Sequence, residues 1–155
     1  MPEAAGSGFV DDYLAYLLAR ASHLISSAFH DQVRAAGLSV MEWRVMASLS
    51  EGPALSIKAL SDIVLAQQPT VTKLVGRMVT QGWVVRTNGP DDKRQTLVTL
   101  TSQGRHTVAP LLALAKAHEQ EVFERLGSAS ETQLKTLLRA VITSASPPEV
   151  SRAAF

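Results

Sequence analysis

The chain contains no cysteine among its 155 residues, which excludes disulfides, thiolate metal sites and thiol redox sensing. Long apolar runs are missing too. Met1–Gly8 has no basic stretch leading into an apolar block, so neither a membrane span nor a signal peptide is expected, and the expected location is the cytosol. There is no glycine-rich phosphate loop, no His-Glu-x-x-His pair and no Gly-x-Ser-x-Gly elbow, and the 4 histidines are scattered. Lacking these constellations, the sequence offers no catalytic residue, no metal site and no cofactor, and the expectation is a protein that is not an enzyme.

What is present points to a folded chain. Hydrophobic residues make up 46% and charged residues 19%, a globular balance for a single domain over 1–155. The net charge of +1 hides an uneven distribution. Gln67 to Arg105 carries six basic residues against two acidic ones, whereas Met1 to Ile57 carries three against six. A local basic patch is the footprint of a polyanion binder, although an ordinary solvated face would have the same composition.

Between Asp11 and Val33, Leu14, Leu17, Ala21, Leu24 and Ala28 recur at helical spacing, with Leu18, Ile25 and Phe29 widening the stripe, so one long helix is predicted to start the fold. Gly37 suits a left-handed cap, and Ser39 with Glu42 forms a capping box opening a second helix over about 40–50. Glu51-Gly52-Pro53 breaks the chain, after which Ser56 caps a short third helix. In Gln67 to Met78, Pro69 suits the first helical position. There Val71, Leu74, Val75 and Met78 share one face and Thr70, Lys73 and Arg77 another. Gln81-Gly82 stops this helix. Two β-rich runs, Trp83 to Arg86 and Gln95 to Leu100, then bracket the turn residues Asn88 to Asp92 as a hairpin. Thr101 or Ser102 caps a long helix with Val108, Leu111, Leu112, Ala115, Val122, Phe123 and Leu126 on its apolar face and Pro110 as a potential kink. Ser130 and Gln133 open a last helix as a second capping box.

Helix, turn, helix and then a hairpin with a charged tip is the order of a winged helix-turn-helix. The predicted fold is mainly α with a small β-hairpin wing. A recognition helix needs short polar groups and cations where its N-terminal part meets base edges, and apolar residues behind. Gln68 and Thr72 suit base edges, Lys73 and Arg77 suit phosphate or guanine, and Gly76 is compatible with a close backbone approach.

The run Leu38 to Gly104 resembles the MarR family of bacterial regulators. It holds Leu-Ser-Val-Met-Glu-Trp-Arg-Val-Met, then Gln-Pro-Thr-Val-Thr-Lys-Leu-Val, then Asp92-Lys93-Arg94 leading into Leu-Val-Thr-Leu-Thr-Ser-Gln-Gly. The resemblance implies a homodimer. Helices over about 11–36 and 102–145 would interlock two copies, 38–101 would form the winged part, and 1–8 and 146–155 would be flexible tails. It further implies double-stranded DNA as partner at a pseudo-palindromic site, contacted by Gln68, Pro69, Thr70, Thr72, Lys73, Arg77, Arg86, Asp92, Lys93 and Arg94. Arg94 would enter the minor groove with Asp92 holding its guanidinium, and Arg86 is a weaker candidate for the DNA backbone.

Members of this family often release DNA on binding a small aromatic, acidic effector between the dimerisation helices and the winged part. His23, His30, Trp43, Arg44 and His118 stand on helices that would border such a space, and an Arg or His can pair with a carboxylate. Packing roles for the tryptophans, an internal ion pair for Arg44 and surface positions for the histidines would explain the same residues. Repression by promoter blocking is the expected mechanism. The rival reading is a helical protein-binding module that uses the winged fold without DNA.

Overall fold

A computed structural model of the chain describes residues 8–127 and 130–145. Apart from Gly8, the tails expected at 1–8 and 146–155 lie outside the described residues. The expected first helix is in two pieces, α1 (Phe9–Asp12) and α2 (Leu14–Ala35). Asp11 folds back to accept the Gly8 N–H at 3.0 Å, the Phe9 and Tyr13 rings stack at 5.1 Å, and Tyr13 is extended at ψ 116°. The single turn is thus closed by its own contacts before the long helix starts. Of the predicted apolar stripe, Phe29 is buried, together with Val33; Leu14, Leu17, Leu24 and Ile25 are exposed.

Gly37 ends α2 as expected, at φ +83°. Its N–H bonds to Arg34 and that of Leu38 to Val33, a Schellman pairing that carries Leu38 into the core. The capping box then forms as predicted. Ser39 Oγ accepts from the Glu42 amide at 3.2 Å, and Glu42 Oε2 accepts from the Ser39 amide at 2.8 Å, opening α3 (Val40–Leu49). A two-residue strand β1 (Leu55–Ser56), absent from the sequence reading, leads into α4 (Ile57–Val64), capped by the Ser56 hydroxyl on the Ala59 amide. α4 ends at Leu65, a non-glycine residue in the left-handed region at φ 59°, ψ 46°.

The wing consists of β2 (Val84–Asn88) and β3 (Thr96–Leu100), antiparallel with Arg86 opposite Val98. β1 adds to the other edge of β3, giving the order β1-β3-β2. Two residues are too few for a period-2 pattern, which is why β1 left no trace in the sequence.

α5 (Gln68–Thr80) precedes the wing and α6 (Ser102–Leu126) follows it. Thr101 caps α6. Its hydroxyl accepts the Gly104 amide at 2.9 Å and donates to the Gly82 carbonyl at 2.6 Å, while its amide bonds to the Trp83 carbonyl at 3.0 Å. A Cβ on Gly104 would collide with that Trp83 carbonyl oxygen, so the first turn of α6 lies directly on the root of the wing. Val45, Met46, Leu60, Val71, Val75, Met78, Val84, Val98 and Val108 are almost wholly buried and join these elements into one core.

The chain divides into two compact units, one ending at Ala115 and the other starting at Lys116. The second holds the end of α6 and α7 (Ser130–Ala145). Ser130, expected to lie outside the helix as a cap paired with Gln133, is instead the first helical residue. Gly127, at φ +89°, turns the chain so that the Ser130 amide meets the Gly127 carbonyl at 3.0 Å, and the Ser130 hydroxyl donates to Leu126 at 3.3 Å. In this unit Lys135 bridges Glu131 at 2.8 Å and Glu119 at 3.1 Å, 5.2 Å from the Phe123 ring centroid. Its hydrogen bonds to Glu131 and then Glu119 hold its pKa above the ordinary value.

Candidate nucleic-acid interface

The orientation of α5 follows from its apolar residues. Val71, Leu74, Val75 and Met78 are buried at helical spacing, and this fixes the rotation that leaves Gln68, Pro69, Thr70, Thr72, Lys73 and Arg77 exposed. Pro69 occupies the second helical position rather than the first, still within the first turn where a missing N–H breaks no helix bond. Gln67, at the cap position, makes no side-chain cap, so the leading amides of α5 are not covered by their own cap residue. The Thr72 hydroxyl donates to the Gln68 carbonyl at 2.9 Å, which commits its proton inside the helix and leaves its lone pairs outward.

At the wing tip the Gly89 amide meets the Gln95 carbonyl at 2.8 Å and the Gln95 amide meets the Asp92 carbonyl at 3.0 Å. Asp91, Asp92, Lys93 and Arg94 are all exposed on this loop. The expected grip of Asp92 on the Arg94 guanidinium is not what forms. Asp92 Oδ1 accepts from the backbone amide of Arg94 at 2.9 Å, because a short carboxylate two residues earlier reaches the i+2 N–H as an Asx turn. Asp92 therefore shapes the loop and leaves the guanidinium of Arg94 unattached to it. Among the described residues, no carboxylate lies within ion-pair distance of Lys73, Arg77, Lys93 or Arg94.

Arg86 behaves differently from Lys73, Arg77, Lys93 and Arg94. Its Nη2 donates to the Thr72 carbonyl at 3.1 Å and lies 3.3 Å from where a Cβ on Gly76 would stand. The sequence marked Gly76 only as a place of close approach, and the group that approaches is this guanidinium.

The expected effector residues are gathered only in part. Phe29 on α2 and Trp43 on α3 meet edge to face, with centroids 5.1 Å apart and planes at 67°. The next residues along each helix, His30 and Arg44, are half-buried, and the Arg44 charge acts on the imidazole. Burial first, then Arg44 and Arg34, hold the His30 pKa below the ordinary 6.5, with Asp31 opposing. His23 sits two turns earlier on α2 and is exposed. His118 lies beyond Ala115, in the second unit. The sequence placed Phe29 on the apolar stripe but not at this seam, because a helical stripe does not tell which apolar residue meets the next helix. A cleft of about 490 Å³ in the second unit is lined by Lys116, Glu119, Gln120, Phe123, Glu124 and Glu131. Three carboxylates around one lysine make it a poor host for an acidic molecule.

No helix among the described residues is long and apolar enough to cross a membrane. Residues 36–95 match the model of the MarR family. Over 131 residues the chain is 29% identical to the HTH-type transcriptional repressor IacR of Pseudomonas putida, covering 84% of this chain and 78% of that one. The MarR family transcriptional regulator SPO1453 of Silicibacter pomeroyi DSS-3 matches with a TM-score of 0.80 and 37% identity, over 90% of this chain and 99% of that one. The transcriptional repressor CouR of Rhodococcus jostii RHA1, solved on a 23-mer DNA duplex, matches with a TM-score of 0.74 and 26% identity, over 87% of this chain and 96% of that one. With a recognition-type helix, a hairpin wing in a three-stranded sheet and this degree of shared sequence, the chain belongs to the MarR family of winged helix-turn-helix transcriptional regulators.

Proposed function

We propose that two copies of this chain bind a pseudo-palindromic duplex as a ligand-responsive repressor, with α5 in the major groove and the wing loop against the minor groove. The observation that carries this reading is the exposed row of Lys73 and Arg77 on α5 together with Lys93 and Arg94 on the wing, none held by a carboxylate among the described residues. An unneutralised cationic surface on a helix whose other face is locked into a core is the electrostatic form a groove reader needs. Gln68, Pro69, Thr70 and Thr72 then face base edges, Lys73, Arg77 and Lys93 take phosphates, and Arg94 enters the minor groove. Similarity to CouR, solved on a 23-mer DNA duplex, supports duplex DNA as the partner.

Dimerisation follows from what α2 and α7 leave uncovered. Leu14, Leu17, Leu24 and Ile25 on α2, and Leu137, Val141 and Ile142 on α7, are exposed in the single chain, more apolar surface than a monomer ordinarily presents. The effector is a small aromatic carboxylate, bound where Trp43 offers a ring face and Arg44 and His30 offer cationic or donor groups, with His23 as an outlying candidate.

Selection of bound sequences from a random duplex pool tests the reading. A two-fold site with half-sites about one helical turn, roughly 34 Å, apart is expected. The Lys73→Ala, Arg77→Ala double variant removes two phosphate contacts from each of the two copies and, at roughly 0.9 per phosphate, should make the slope of log affinity against log salt shallower by about 3.6. No enriched sequence, or an unchanged slope, would refute it. Aromatic acids that never alter DNA affinity would remove the effector part alone.

A further inference from the structure

Side chains alternate along β2, so Arg86 falls on the same face as the buried Val84, one step beyond the point where the sheet leaves the core. An arginine there has no core to enter. It crosses to α5 instead, and its Nη2 donates at 3.1 Å to the carbonyl of Thr72, fourteen residues away. That carbonyl already serves the helix ladder, and the guanidinium takes its second lone pair. Space for this is made by Gly76. A Cβ there would stand 3.3 Å from Nη2, closer than ordinary contact, so a residue that weakens a helix interior occupies the one position where its bareness seats the guanidinium.

We propose that Arg86 is the strut that fixes the wing against the recognition helix, a positioning residue that keeps Arg94 and the outward face of α5 in one register, and not itself a phosphate contact. The inference rests on the DNA-reading surface proposed above and goes beyond it by giving Arg86 a different role. A hairpin of two short strands is marginal by itself, and β1 supports only the far edge of β3, so the β2 edge depends on what ties it to α5. Lysine cannot replace the strut. Its point charge lacks the planar fork that lies flat on a helix and reaches a carbonyl sideways.

The test measures affinity for the selected duplex across a salt series, for the full chain and for Arg86→Lys, Arg86→Ala, Arg94→Ala and the Arg86→Ala, Arg94→Ala pair. Both Arg86 variants should lose about five- to tenfold in affinity, the scale of one charge-assisted bond at a surface, with an unchanged salt slope. Once Arg94 is already alanine, Arg86→Ala should cost less than about twofold, because a misplaced wing no longer matters. Thermal unfolding of each variant confirms that the exposed side chain is not simply holding the fold. Recovery of affinity by Arg86→Lys, a slope shallower by about two (one phosphate lost from each copy), or full additivity with Arg94→Ala would each make Arg86 a direct phosphate contact and overturn the strut. If Arg94→Ala alone costs nothing, the DNA-reading surface of the wing is wrong and the strut falls with it.

Discussion

Replacing Gly104 with alanine should destabilise the protein far more than its single methyl group suggests. The added Cβ would collide with the Trp83 carbonyl oxygen and stand 2.9 Å from its carbon and 3.0 Å from Leu100 Cδ2. Two of these three atoms are backbone, so no rotamer change relieves the overlap. Overpacking of this kind costs about 1–3 kcal/mol. The same carbonyl accepts the Thr101 amide at 3.0 Å and the Thr101 hydroxyl at 3.2 Å, and moving it aside puts roughly another 1–2 kcal/mol at risk. Alanine returns about 1 kcal/mol as the better helix former. The balance is a loss of about 1–4 kcal/mol, or roughly 2–16 °C in Tm for a chain of this size. Urea unfolding followed by circular dichroism at one fixed protein concentration reads it directly. Gly52→Ala, where the nearest atom is 4.0 Å away, serves as control and should shift stability by less than about 0.5 kcal/mol. A Gly104→Ala midpoint within error of the control would show that the first turn of α6 is not seated on the wing root.

Ser39→Ala removes the acceptor for the Glu42 amide and should cost about 1 kcal/mol, read as a lower urea midpoint at unchanged slope. Leu65 is left-handed and 84% exposed, so its conformation, and not its packing, sets the cost of substitution: Leu65→Val should be less stable than Leu65→Gly by about 1–2 kcal/mol, and equal stabilities would refute the argument. Because burial, Arg44 and Arg34 depress the His30 pKa below its unfolded value of 6.5, the unfolded chain takes up the proton first, and stability should fall as the pH drops below that value. His30→Gln should flatten this dependence below about pH 6.5 and leave the profile above it unchanged, and an unaltered pH profile would place its source elsewhere.

Much of the architecture was legible because it rests on local signals. The Ser39/Glu42 box, the Ser56 cap, Gly37 and the apolar spacing of α5 are each written within a few residues, and each took the predicted form. What failed depended on contacts beyond that range. The break at Tyr13 follows from a ring stack and a carboxylate turned back on Gly8, and Ser130 moved inside α7 because Gly127 turns the chain earlier. At the candidate interface, residue types predicted which cations face outward, but not what each one holds. Asp92 was expected at the Arg94 guanidinium and takes its amide; Arg86, expected only as a weaker candidate for the DNA backbone, also meets the Thr72 carbonyl, a contact the sequence did not announce. Such pairings depend on side-chain reach across two elements, which no sequence period encodes.

The bond from the Thr72 hydroxyl to the Gln68 carbonyl limits what that residue can read. With its hydrogen turned inward, the oxygen can only accept, so in a major groove it favours the exocyclic amino groups, N6 of adenine or N4 of cytosine, over the keto edges of guanine and thymine. The base pair facing Thr72 should therefore be chosen by its amine, and an operator alphabet that placed O6 or O4 opposite this position would require the hydroxyl to release the Gln68 carbonyl.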